Sequence, residues 1–150
     1  MIVKKSTIDD IPALVDLGRQ FTAESAYGWE YSPENAAKSF ELAITHPECA
    51  CIHITNDDGV MIGAALISFE TDFTTNRIGD INEFYISAEG RGSGAGRLLL
   101  DTCCVWFDFM GCEQVFVKAT GNIESQGRSF ENLFSKYGFK VFSSVLVRGI

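Results

Sequence analysis

The sequence predicts a mixed α/β (α+β) fold: a mainly antiparallel central sheet of six to seven strands flanked by about four helices, in one domain spanning residues 1–150. Three observations predict it. Segments of strand character and segments of helical spacing succeed one another in the order β-α-α-β-β-β-α-β-α-β. Three consecutive apolar runs, "CACIHIT", "VMIGAALISFE" and "RIGDINEFYIS", are joined by short polar segments, the pattern of an antiparallel meander. A chain of 150 residues, 46% of them hydrophobic, is long enough for one core and too short for two comfortable ones.

Each element has a local reason. "IVKKS" (Ile2 to Ser6) has short strand character, and "TIDDIPALVDLGRQF" then sets Ile11, Leu14, Val15 and Leu17 on one helical face. Asp9 and Asp10 sit where carboxylates satisfy the first free amides, and Pro12 is tolerated in a first turn. A polar and aromatic linker, "ESAYGWEYSPEN", leads to a helix from Pro33 to Thr45 that His46-Pro47 terminates. Asp58-Gly59 suits a tight hairpin turn between the first two meander strands, and "TDFTTN" joins the third. After a glycine-rich stretch, Leu98 to Met110 reads as helix, "EQVFVKA" as strand, Ser129 to Tyr137 as helix and "GFKVFSSVLVR" as one or two closing strands. No internal repeat, low-complexity tract or interdomain linker interrupts this order.

Charge and cysteine usage narrow the function classes. With 12 Lys+Arg against 20 Asp+Glu the net charge is −8, the wrong sign for gripping nucleic acid phosphates. The surplus of carboxylates keeps the protein in solution and favours cationic partners. Cys49, Cys51, Cys103, Cys104 and Cys112 contain no C-x-x-C pair and stand near no histidine cluster, so neither zinc nor a disulfide framework is indicated. They read as thiols of a reducing cytoplasm. "MIVKKS" carries no signal-peptide pattern and no run approaches the ~18 apolar residues of a membrane span. A cytoplasmic protein without metal, nucleic acid or membrane partner is expected.

The segment "NEFYISAEGRGSGAGRLLL", Asn82 to Leu100, changes from strand to helix across three glycines at alternate positions. It has no G-K-[ST] ending, and Arg97 stands where the third glycine of G-x-G-x-x-G belongs, which disfavours ATP and NAD. What remains is a set of amides at a helix N-terminus with no side chains at Gly92, Gly94 and Gly96 to block approach, a good site for a pyrophosphate. The plainer alternative is a turn whose glycines serve tight geometry alone. "RGSGAGRLLL" resembles the Q/R-x-x-G-x-G/A signature of the GNAT-type N-acetyltransferase superfamily at Arg91, Gly94 and Gly96, and "NLFSKYGFKV" is similar to that family's "lYxxxGF" element.

The resemblance implies a splayed acetyl-CoA cleft between "EFYIS" and "VFVKA". It places the pyrophosphate on the amides and charges of Arg91, Gly92, Ser93, Gly94, Ala95, Gly96 and Arg97. The pantetheine arm would run along Phe84, Tyr85 and Ile86, and Asn122 is a further contact to the arm. An amine acceptor with a pKa near ~10.4 must lose a proton before it attacks. Glu83 is the best candidate base, with Asp80 the alternative; residues three apart on a strand face opposite sides, so both reach the cleft only if a bulge intervenes. A solvated strand-end carboxylate is the plainer reading of each. A backbone amide near Tyr85 and Ile86 would serve the oxyanion. The family's tyrosine acid is replaced by Phe134, which leaves Tyr137, one turn away, as the only nearby phenol. His46, His53, Cys103 and Cys104 are not placed for a covalent route, so direct transfer is expected.

In the implied architecture the linker walls the acceptor cleft, with Tyr27, Trp29 and Tyr31 beside Glu24 and Glu30 forming an aromatic and acidic surface for a cation; an aromatic cap over the core is the alternative. The acceptor is a primary amine, on a small molecule or a protein. A homodimer is left open. Two other classes also stay open: an acetyl-CoA-binding module without turnover, and a small acidic protein-binding effector.

Overall fold

In the computed structural model, the described residues are 1–25, 28–71, 73–118, 131–142, 146 and 148–149. The chain divides into two compact units, Met1–Lys118 and Ala119–Ile150. The first holds β1 (Ile2–Lys5), α1 (Ile11–Glu24), α2 (Pro33–Thr45), β2 (Cys49–Thr55), β3 (Met61–Thr71), β4 (Arg77–Ile86), α3 (Ala95–Phe109) and β5 (Cys112–Val117). The strands lie in one sheet in the order β1-β2-β3-β4-β5. β1 to β4 pair antiparallel and β5 joins β4 in parallel.

The α2 and hairpin signals act as the sequence implies, whereas at α1 the N-cap Asp10 makes no side-chain bond to the helix amides and instead accepts from the Thr7 amide at 2.7 Å. Ser32 caps α2 by accepting from the Asn35 amide at 3.2 Å, with Pro33 in the first turn. Gly59 takes φ +78° in the turn between β2 and β3, and Asn56 Oδ1 accepts from the Asp58 and Val60 amides. α3 begins earlier than Leu98, because Gly94 in left-handed conformation starts it and Ala95, Gly96 and Arg97 form its first turn.

Among the described residues, apolar clusters lie on both faces of the sheet. On one, Leu14 and Leu17 of α1 pack on Cys51 and Ala64, with Phe40 of α2, Leu66 and Tyr85 around them. On the other, Ile54, Ile62 and Ala95 form a cluster with Val3 and Ile86. α3 turns Leu99, Leu100, Cys103 and Phe107 inward. Gly79 of β4 lies beneath Phe107, and a Cβ there would come within 2.5 Å of the ring. Gly79→Ala is therefore expected to overpack this contact and cost about 1–3 kcal/mol of stability, measured by denaturant unfolding; an unchanged midpoint would show that the ring moves freely aside.

His53, buried in β2, bonds Ser6 Oγ through Nδ1 at 2.7 Å. Burial lowers its pKa, partly offset by Asp10. Burial also pushes the thiols of Cys51 and Cys103 up to about 11 and about 12, so they stay protonated at neutral pH and act as packing groups.

In the second unit, residues 131–135 are helical and end in a tight closure. The Phe139 amide donates to the Phe134 carbonyl at 3.2 Å and the Gly138 amide to Ser135 at 3.1 Å, with Gly138 at φ +84°. Phe139 then folds its ring edge-on against Phe134, centroids 5.1 Å apart. This gives "GF" a physical role as helix stop and apolar clasp.

The strand count needs correction: the described residues hold five strands, not six to seven. The further strands were expected from "GFKVFSSVLVR". Residues 139–142 have no regular structure, while 143–145 and 147 lie outside the described residues. Alternation makes a strand only where a ladder partner exists, and here the first amide of the segment closes the preceding helix instead. Among the described residues no helix is long and apolar enough to cross a membrane.

Candidate functional site

β4 carries the site, and a register change shapes it. Leu66 of β3 pairs with Glu83, while its neighbour Ile67 pairs with Ile81, so Asn82 is the extra residue of a β-bulge. Directly paired residues share a face. Since Leu66 and Ser68 lie on one face of β3, their partners Glu83 and Asp80 lie on one face of β4. Both carboxylates thus face the α1 and α2 side, about one same-face repeat of ~7 Å apart. The Asn82 amide donates to Ser68 Oγ at 2.8 Å, pinning the bulge to the neighbouring strand.

The same bulge lies where β4 loses its other neighbour. The β4–β5 ladder runs from Arg77–Cys112 to Ile81–Val117, and β4 continues to Ile86 with no strand on that edge among the described residues. Among the described residues this edge of β4 therefore has no strand neighbour from the bulge toward the start of α3, where the Ile86 carbonyl accepts from Arg91 Nε at 3.1 Å.

Beside it, a pocket enclosing about 70 Å³ opens between α1, α2 and the sheet, walled by leucine and phenylalanine side chains, with Glu83 and Tyr85 on its β4 side. Glu83 is exposed as a residue, yet the neighbouring wall displaces part of its hydration, and this burial raises its pKa. Asp80 is raised as well, first by burial and then by the charge of Glu70, with Lys118 acting the other way.

At the far end of the edge, Gly92 and Gly94 adopt φ +77° and +86°, and a Cβ at either would stand in open space. The amides of Gly92, Gly94 and Gly96 take no backbone partner among the described residues. Ser93 is turned to its own loop, its Oγ bonding the Gly90 carbonyl at 2.5 Å and receiving the Ala95 amide at 3.3 Å. Free amides, bare Cα atoms and the positive end of a fifteen-residue helix fit a pyrophosphate group.

Arg91 is held elsewhere. Its guanidinium pairs with Glu24 at the end of α1, its Nε donates to the Ile86 carbonyl at 3.1 Å, and it lies over the Tyr85 ring. Tyr85 donates to the other Glu24 oxygen at 2.9 Å, and burial together with Glu24 raises its pKa. The three side chains tie α1, β4 and the glycine loop into one frame. Glu24 stood in the sequence only as one acid in an aromatic wall; its partner lies 67 positions away, so no local pattern revealed the frame.

The other sequence candidates are dispersed. Tyr31 donates to the Val15 carbonyl at 2.5 Å, and the Arg19 guanidinium covers its ring at 5.1 Å. It packs as a cap on α1, with its ring face already holding a cation. Trp29 and Glu30 are exposed. Tyr27 and Asn122 lie outside the described residues. Phe84 and Ile86 alternate with Glu83 and Tyr85, and so line the α3 face of β4. Tyr137 follows the helical residues 131–135 in the closing turn of the second unit, its amide donating to Phe134 at 3.0 Å. Among the described residues no group of three or more histidine, cysteine or acidic side chains is placed to hold a metal ion.

Comparison with known proteins agrees with this layout. The family model described as Acetyltransferase (GNAT) family matches residues 16–139. No curated protein matches by sequence. Among solved structures, the BH1408 protein of Bacillus halodurans is similar at TM-score 0.80 and 12% identity, covering 100% of this chain and 99% of that one. The ribosomal-protein-alanine N-acetyltransferase of Brucella melitensis biovar Abortus 2308 has TM-score 0.76 and 14% identity, covering 99% and 100%. The glucosamine-6-phosphate N-acetyltransferase of Arabidopsis thaliana has TM-score 0.75 and 17% identity, covering 99% and 97%. At such identities the likeness is one of fold.

Proposed function

Because the chain belongs to the GNAT acetyltransferase family, we propose that it moves an acetyl group from acetyl-CoA to a primary amine by direct transfer. The observation that carries this reading is that β5 stops pairing with β4 at Ile81, while β4 runs on to Ile86 and leads into the amide-lined start of α3. An extended amide-bearing arm finds main-chain partners along such an edge. A pyrophosphate finds the amides of Gly92, Gly94 and Gly96 with the helix dipole behind them. Bound acetyl-CoA supplies an activated thioester carbonyl.

The chain's own residues supply position and proton transfer. Glu83 stands at the mouth of the pocket with its pKa raised toward neutrality, the direction that makes a carboxylate a better base for an ammonium. Asp80, on the same face, adds negative charge for a cationic acceptor. The frame of Glu24, Tyr85 and Arg91 holds the loop against α1, which makes Arg91 a positioning residue in this state.

Release of coenzyme A thiol is the direct test. Acetyl-CoA with a mixed amine panel is expected to give sustained, amine-dependent release, and acetyl-CoA is expected to raise the melting temperature where NAD and ATP do not. Stabilisation without release under every amine would reject turnover and leave a binding module.

A further inference from the structure

Resting on the reading of this chain as an amine acetyltransferase, we propose that its acceptor is a small monoamine bearing a short saturated hydrocarbon group. The hydrocarbon enters the pocket between α1, α2 and the sheet, and the nitrogen stays at Glu83. Among the described residues the pocket is ringed by Leu17, Phe21, Phe40 and Leu66, its surface is wholly apolar, and Glu83, the one acidic residue bordering it, does so with the carbons of its side chain. Tyr85 also borders it, but its hydroxyl is bonded to Glu24. The interior therefore offers dispersion and water exclusion to carbon, while the Glu83 carboxylate, outside the apolar lining, is left for a single nitrogen.

Size and charge narrow the class. The space is about 70 Å³, roughly half of the ~150 Å³ that admits a benzene ring in an apolar cavity. About three or four saturated carbons fill this half-open space, and an aromatic ring would stand partly outside it. A diamine of that length would bury its second ammonium among leucine and phenylalanine side chains with no second carboxylate to meet it, a heavy cost. Asp80, the next same-face position beyond Glu83, lies outside the lining. The aromatic surface first expected to attract a cation is no competitor at Tyr31, whose ring already carries Arg19.

The test is the rate of thiol release, at saturating acetyl-CoA, with ethylamine, n-propylamine, n-butylamine, 2-phenylethylamine and 1,4-diaminobutane. Expected is a rise in kcat/KM of about fourfold per added methylene from ethyl to butyl, as for burial of a CH₂ group. 2-Phenylethylamine should fall below n-butylamine, and 1,4-diaminobutane about 10²-fold below it, as for a lone charge left in an apolar site. Phe40→Ala enlarges the pocket and should move the ratio of 2-phenylethylamine to n-butylamine upward by at least tenfold; a ratio is insensitive to partial loss of folded protein. Calorimetric titration of n-butylamine and 1,4-diaminobutane, with and without coenzyme A, reads the same preference without turnover. Diamine or aromatic amine equalling n-butylamine, or a ratio unmoved by Phe40→Ala, overturns the proposal while leaving amine acetylation in place. Selective n-butylamine binding without thiol release from any amine supports the pocket's ligand class and rejects turnover. Neither binding nor release rejects both.

Discussion

Glu83→Gln is expected to lower turnover by about 10²-fold or more, the usual contribution of a general base, with acetyl-CoA affinity little changed. The same substitution should make the protein more stable at pH 7. The sign follows from the raised pKa. Burial makes the folded state hold the Glu83 proton more tightly than the unfolded chain does, so the ionised group opposes folding above its folded pKa, and that penalty fades as pH falls through it. Glutamine removes the penalty at neutral pH while keeping the shape. In wild type the acid limb of kcat/KM should lie above the ordinary carboxylate range, and in Glu83→Gln that limb should vanish. Tyr137→Phe is the control and should cost little. If it is the damaging change instead, and Glu83→Gln keeps wild-type rates, the proton path runs through the second unit and the role given to Glu83 is wrong.

Gly94→Val is expected to weaken acetyl-CoA binding by at least ~10²-fold, since losing two charge-assisted amide contacts removes about 3 kcal/mol or more. The Cβ at this position would occupy open space, so the folded chain has room for it; the obstruction falls on whatever approaches the amides. Backbone strain is the confounding effect, because φ is +86° and a branched residue there costs about 1–3 kcal/mol. Gly59 provides the control. It sits in the β2–β3 turn at φ +78° with equally open space around its Cα. Gly59→Val should lose comparable stability and keep its affinity for acetyl-CoA. Equal affinity in both variants, measured by calorimetry on folded protein, would remove the glycine loop from the binding site.

Much of the first unit was legible because its signals are local. Ser32-Pro33 and His46-Pro47 bracket α2, and "CACIHIT" matches β2 residue for residue. The glycine loop was legible as chemistry but not as geometry. Gly96, a poor helix former, hid the first turn of α3, which the left-handed Gly94 starts. The bulge at Asn82 was anticipated only as a condition. Simple alternation would put Asp80 and Asn82 on one face and Glu83 on the other; two adjacent polar residues, Asn82 and Glu83, in the strand were its trace. The Glu24–Arg91 pair and the pocket join segments far apart in the chain, and nothing in a single sequence encodes such meetings. At 139–142 the strand reading failed because apolar alternation states which residues are fit to pair, not whether they do.

The edge of β4 from Asn82 to Ile86 has another side. The side of β4 that β5 leaves uncovered, proposed to take an extended ligand arm, is equally a template for another extended polypeptide, including a second copy of this one. Ligand and aggregation compete for the same hydrogen bonds. The polar pair Asn82 and Glu83 interrupts what would be a continuous apolar run from Ile81 through Phe84, Tyr85 and Ile86, and a charge there is a gatekeeper against cross-β stacking. The carboxylate that weakens the fold, and that is proposed to move the proton, therefore also keeps the exposed strand from recruiting its own kind.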